Sequence, residues 1–182
     1  MSRESEKIKI LLVDDDPLVR SSLKIIIEAD ENLCIVGLGS DGDEAIRLYG
    51  ELLPDVLLMD IRMAPKDGLE AGEQILLRHP MARILYLTTF ADDAYIIKAL
   101  RMGARGYILK QDFESIVPSL RAISAGQSVF GDTIMARVPT LIGSKSSASI
   151  PADASGQSIR FDIREPARRA PRLQLLPAAQ FA

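Results

Sequence analysis

Five short apolar runs alternate with stretches of helical periodicity, and this rhythm constrains the fold more than any other feature of the chain. Strands are expected over residues 8–13, 33–38, 55–60, 83–88 and 106–109. Runs this short, each followed by helix-start chemistry, read as buried parallel strands. Asp16 is a natural N-cap for the first helix, with Pro17 at the first helical position, where its missing N–H costs nothing. Leu23, Ile26 and Ile27 then share one face. A second helix from about Asp43 turns Ala45, Ile46 and Tyr49 inward, and a third carries Leu69, Ile75 and Leu76 and ends at His79-Pro80. A fourth, over 92–102, stops at Gly103, a good C-cap. The fifth is expected to start near Ser115, which puts Pro118 in its first turn, and its stripe is Ile116, Leu120 and Ile123. Strands alternating with helices imply parallel pairing through right-handed crossovers. The expected fold is α/β, a (βα)5 doubly wound five-stranded parallel sheet.

In an open α/β sheet, ligands bind outside the carboxyl ends of the strands. The residues that end or follow the apolar runs are Asp14-Asp15-Asp16, Asp60, Thr88 and Lys110. Taken singly, each has a plain structural explanation: a solvated turn with an N-cap, a turn threonine, a surface lysine. At one sheet edge they form a chemical set. Clustered acids repel unless something positive lies between them, and magnesium takes oxygen ligands, commonly one or two carboxylates with waters and phosphate oxygens. A lysine neutralises anionic oxygens, and a hydroxyl donates to them. Positioning and charge stabilisation are most of what phosphoryl transfer asks of a protein, and a carboxylate can be the covalent acceptor.

The totals narrow the class. With 182 residues, 47% of them apolar, the chain can build one good-sized domain and an appendage. A single cysteine, Cys34, excludes an internal disulfide framework and reads as a small core hydrophobe. No stretch approaches the roughly 18 apolar residues of a membrane span, and Met1–Lys7 lacks the apolar segment of a secretory signal. A soluble cytoplasmic protein is expected. The formal charge of −3 divides unevenly: residues 141–182 carry a net +3 and residues 1–140 a net −6. An acidic body argues against nonspecific nucleic-acid binding by residues 1–140. His79 is the single histidine, so a zinc site or a histidine-dependent hydrolase has little support.

The motifs Leu11-Leu12-Val13-Asp14-Asp15-Asp16-Pro17, Met59-Asp60-Ile61-Arg62-Met63, Asp67-Gly68, Leu87-Thr88-Thr89-Phe90 and Gly103-Ala104-Arg105-Gly106-Tyr107-Ile108-Leu109-Lys110 occur in this order. Together they resemble the receiver domain of bacterial two-component response regulators, nearest the NarL/LuxR-type subfamily, over about residues 7–128. The resemblance implies a flavodoxin/CheY-like fold and a phosphoacceptor domain rather than an enzyme acting on other molecules. It implies Asp60 as phosphoacceptor and a magnesium ion (Mg2+) held by Asp14, Asp15, Asp60 and the backbone carbonyl of Arg62. Thr88 and Lys110 would contact the phosphoryl group, and Tyr107 would be a switch aromatic that turns inward when Thr88 moves. An ordinary strand tyrosine with its hydroxyl in water is the other reading of Tyr107. The implied partners are a sensor histidine kinase as phosphodonor and a second copy meeting through the first and last helices, in the setting of transcription regulation.

Three departures from the family pattern matter. Ala64 stands where the family usually has proline, with Pro65 next, so the loop should bend differently. Gln111 follows the lysine, as is common in the NarL subgroup. Arg62 and Phe90 are bulky and are expected to hinder the attacking water, which slows dephosphorylation; a phosphoryl half-life in Phe90→Ala no shorter than in the parent counts against this. Two other functions remain open at this point. Asp14-x-Asp16 superficially matches the nucleophile motif of haloacid-dehalogenase-like phosphatases, although Leu18 stands where that family wants threonine or valine. A receiver-like protein that docks partners without phosphate is the third reading.

Residues 1–128 are therefore expected to be the receiver domain. Residues 129–182 are expected to be a serine-rich linker and a disordered tail interrupted by Pro166, Pro171 and Pro177. Arg164-Glu165 resembles a fragment of the opening of a helix-turn-helix domain, but nothing after it has the apolar periodicity of one. DNA binding by this chain is not predicted. A natural stand-alone receiver, a truncation and a frame change fit that tail equally.

Overall fold

The central strands of the sheet are buried on both faces, and the computed structural model describes the sheet within residues 7–89 and 92–136. Expectations placed on Phe90 and on residues 137–182 lie outside the described residues. The elements are β1 (Ile8–Val13), α1 (Pro17–Glu28), β2 (Leu33–Gly39), α2 (Gly42–Leu52), β3 (Val56–Asp60) and α3 (Gly68–Arg78). They continue with β4 (Ile84–Thr88), α4 (Asp93–Met102), β5 (Gly106–Leu109), α5 (Phe113–Ser124), β6 (Val129–Phe130) and α6 (Asp132–Met135). Strand order is β2-β1-β3-β4-β5-β6, with every neighbouring pair parallel.

Strand alternation divides the core in two. Leu11, Val13, Leu57, Met59 and Tyr86 face α2, α3 and α4, where Tyr49, Leu69, Ile75 and Ile96 meet them. Ile10, Leu12, Val56, Leu58 and Leu85 face α1 and α5, meeting Leu23, Ile27, Ile116, Leu120 and Ile123. Side chains from both layers fill the sheet, which explains why the strands read as unbroken apolar runs.

Local chemistry sets the helix ends. The Asp16 carboxylate accepts from the backbone N–H groups of Leu18 and Val19, with Pro17 opening α1. Asp41 and Asp67 cap α2 and α3 in the same way. Gly103 closes α4 in the left-handed region at φ 82.

The structure departs from the sequence expectation in two places. First, α5 begins at Phe113, two residues before Ser115, so Pro118 lies inside the helix rather than in its first turn. Ser115 is not the cap: its hydroxyl donates to the Asp112 carbonyl at 2.7 Å. Proline at 118 lacks the N–H that would meet the Glu114 carbonyl, and packing of Ile116, Leu120 and Ile123 holds the helix in spite of it. Second, the sheet has six strands and passes the expected boundary at residue 128. Val129 donates to the Arg105 carbonyl at 2.8 Å and Gly131 to the Tyr107 carbonyl at 3.1 Å. A two-residue strand is too short to show any periodicity. It is placed by Gly106, where a Cβ would stand 2.7 Å from the Val129 carbonyl oxygen.

Candidate functional site

Adjacent strands deliver the acids to one edge by register alone. β1 pairs with β3 at Val13↔Met59, so Asp14, one residue past β1, comes level with Asp60 at the end of β3. β4 pairs with β5 at Thr88↔Leu109, which brings Lys110 to the same edge. The backbone N–H of Lys110 donates to the Thr88 carbonyl at 2.7 Å. One carboxylate oxygen from each of Asp14, Asp15 and Asp60 lies within 4.8 Å of the others. Asp14 is fully buried and Asp60 nearly so, while Asp15 is exposed, so the cluster opens to water on one side.

Lys110 holds the buried acids together. Its Nζ stands 2.6 Å from Asp14 Oδ2 and 2.9 Å from Asp60 Oδ2, with 16% of its side chain exposed. Asp14 Oδ1 accepts the N–H of Asp16 at 3.0 Å, and Asp60 Oδ1 accepts that of Arg62 at 3.4 Å. Burial pushes the Asp60 carboxyl above its ordinary value; the Lys110 hydrogen bond and charge pull it partly back, and the Asp14 charge adds to the rise. Burial draws the Lys110 ammonium down, yet its hydrogen bonds and attraction to Asp14 and Asp60 outweigh that and leave it raised. The lysine stays charged where it is needed.

The donor set suits a hard divalent cation. Counted as ionised, three carboxylates against one ammonium leave two negative charges uncompensated, and all the offered side-chain ligands are oxygen. Asp16 takes no part in the set, because its carboxylate is engaged in capping α1. Asp14 is equally unsuited to be the nucleophile of a phosphatase: it is fully buried, with Asp16 N–H on one oxygen and Lys110 on the other.

Thr88 is fully buried at the end of β4. Tyr107 is also fully buried, in cross-strand register with Tyr86, so the reading of a strand tyrosine with its hydroxyl in water does not hold. Arg62 is exposed beside Asp60.

Three further contributors support the site. The Arg20 guanidinium, in the first turn of α1, donates to the Asp14 main-chain carbonyl. Lys66 pairs with Asp43 at 2.6 Å, and its carbonyl accepts from Gly42 at 3.2 Å, tying the loop after Asp60 to the start of α2. Gly68 admits the Asp60 backbone: a Cβ there would lie 2.0 Å from the Asp60 carbonyl oxygen. Of these, Gly68 belongs to the Asp67-Gly68 motif, whereas the other contacts join residues that only the fold makes neighbours.

The family model of the response regulator receiver domain matches residues 10–121. The transcriptional regulatory protein LiaR of Bacillus subtilis is 37% identical over 132 residues, which are 72% of this chain and 63% of that protein. The uncharacterized transcriptional regulatory protein YxjL of the same organism is 35% identical over 134 residues, 73% of this chain and 62% of its own length. The chain thus spans about three fifths of these relatives. Among solved structures, a LuxR-family two-component response regulator from Aurantimonas superposes with a TM-score of 0.71 at 34% identity, covering 74% of this chain and 97% of the other. The NarL receiver domain of Mycobacterium tuberculosis gives 0.64 at 29% identity, covering 67% and 99%. With its acid cluster, its parallel sheet and these likenesses, the chain belongs to the response regulator receiver domain family.

Proposed function

We propose that residues 1–128, with β6 behind them, form a receiver unit in which Asp60 accepts a phosphoryl group from a sensor histidine kinase. The observation that carries this reading is Lys110, whose ammonium reaches both Asp14 and Asp60 beside three clustered carboxylates. An Asp60 carboxylate oxygen bonds to phosphorus while the bond from phosphorus to the donor nitrogen breaks, and the product is an aspartyl-phosphate. Lys110 then turns from the Asp60 carboxylate to a phosphoryl oxygen, and the Thr88 hydroxyl donates to another. Asp14, Asp15, Asp60 and the Arg62 carbonyl hold a magnesium ion, which when bound neutralises charge developing on the phosphoryl oxygens.

The added charge biases a pre-existing equilibrium, and Tyr107, opposite Tyr86 and two residues down the ladder from the Thr88 pair, carries the change to α4. The output is a second copy docking on α1 and α5, or another partner, in transcription regulation. Leu18 and Ile25 support the α1 face: they lie seven residues apart, two helical turns, and are 77% and 72% exposed. Among the described residues no helix is long and apolar enough to cross a membrane, and the reaction is assigned to the cytoplasm, where the kinase domains of such sensors work.

Intact-mass measurement after incubation with acetyl phosphate and magnesium tests the reading. One added phosphoryl group is expected on the parent chain and none on Asp60→Asn. An unmodified parent, or a labelled Asp60→Asn, overturns it.

A further inference from the structure

We propose that Arg20 is a positioning residue for the cation-binding acids, acting through the peptide that joins Asp14 to Asp15. The inference rests on the receiver reading above.

Arg20 lies in the first turn of α1, and its Nη1 reaches back over the loop to the Asp14 main-chain carbonyl. That oxygen belongs to the planar peptide unit between the two aspartates. Pinning it fixes the rotation of the plane, and the direction in which the Asp15 side chain leaves the backbone follows. Asp14 needs no such help. Its N–H donates to the Gly39 carbonyl at 3.2 Å, its Oδ1 accepts from Asp16 at 3.0 Å, and its Oδ2 faces Lys110 at 2.6 Å. Asp15 is exposed, and among the described residues none donates to its carboxylate. The peptide plane is what aims it at Asp14 and Asp60.

A weak attraction to the Glu44 carboxylate adds to this contact. Glu44 is held ionised chiefly by the Ser40 N–H and hydroxyl, at 2.8 and 2.9 Å, and Arg20 is near enough to add a smaller electrostatic share. The hydrogen bond to the Asp14 carbonyl, within the β1–α1 loop, is therefore the contact that carries the positioning. A planar fork on a fixed charge suits this task better than the compact ammonium of lysine.

Charge and position predict opposite outcomes. A cation beside a magnesium site repels the metal, so if charge were the whole effect, removing Arg20 would tighten binding. Loss of positioning weakens it. The chain has no tryptophan, so calorimetric titration of the full chain with magnesium chloride, at fixed ionic strength and without phosphodonor, is the readout. Arg20→Ala and Arg20→Gln are expected to raise the magnesium dissociation constant about tenfold, the usual cost of losing a group that orients a ligand. Arg20→Lys is expected to fall between them and the parent. Affinity equal to the parent or tighter overturns the proposal. Melting curves without magnesium show whether each variant is folded; if Arg20→Ala is not, the charge-retaining Arg20→Lys decides, with weaker binding supporting the proposal and unchanged binding overturning it. A parent that binds no magnesium and takes no phosphoryl group overturns the receiver reading itself, and this is seen before any variant is compared.

Discussion

A Cβ built on Gly72 would lie 1.8 Å from the hydroxyl oxygen of Tyr86, so the end of that tyrosine occupies the place where a side chain at position 72 would begin. Tyr86 is fully buried and cannot swing out, and its hydroxyl has no hydrogen-bond partner among the described residues. Alanine at 72 would gain about 1 kcal/mol of helix propensity, but the overlap forces α3 off the sheet at a cost of about 1–3 kcal/mol. Gly72→Ala is therefore expected to be less stable in urea unfolding. Tyr86→Phe on that background should restore part of the loss, because it removes the hydroxyl overlap, leaving ring Cζ at 3.0 Å, and with it a buried hydroxyl that has no partner among the described residues. Stability of Gly72→Ala equal to the parent would contradict the close approach.

Leu53, the residue after α2, sits at φ 44, in the left-handed region that suits glycine and asparagine. Its side chain is 61% exposed and contributes little packing. Leu53→Asn is expected to raise unfolding stability by about 0.5–1 kcal/mol, whereas the β-branched Leu53→Ile should lower it. Chemical denaturation of the three proteins checks the order.

Burial raises the Asp60 carboxyl above its ordinary value of 3.8, against the partial relief from Lys110. The folded state then binds its proton more tightly than the unfolded state does. Stability from this group is fully present below pH 3.8 and is lost as pH rises through the higher folded value. Asp60→Asn, which cannot ionise, is expected to be more stable than the parent at pH 7 without divalent cations. Its advantage should shrink as the pH falls toward 4. An advantage that grows on acidification would mean the carboxylate is favoured by folding.

Binding of magnesium to the folded state alone stabilises it by mass action, about 2.7 kcal/mol at a hundred times the dissociation constant. The parent melting temperature is expected to rise with added magnesium and to return on chelation. Asp15→Asn should lose most of that rise while melting close to the parent in chelator, since Asp15 is exposed and plays no part in the core. Equal rises in both proteins would place the ion elsewhere.

The alternation of apolar runs and helical stripes was enough to read the parallel sheet, and caps such as Asp16 and Gly103 could be read locally because each bonds its own chain within a few residues. The acids, threonine and lysine were legible as a set for the same reason: each ends or follows a strand, and parallel strands end at one edge. Division of labour within the Asp triplet was legible only in part: Asp16 could be read as the cap of α1, but that Asp14 is buried under Lys110 while Asp15 faces water is decided by register and packing. The inward face of Tyr107, the notch at Gly72, the β6 strand and the reach of Arg20 to Asp14 also wait on the fold. Periodicity records which face of an element is apolar, and capping records where it ends. Contacts between elements depend on distances that no short stretch of sequence contains, so tertiary structure alone decides them.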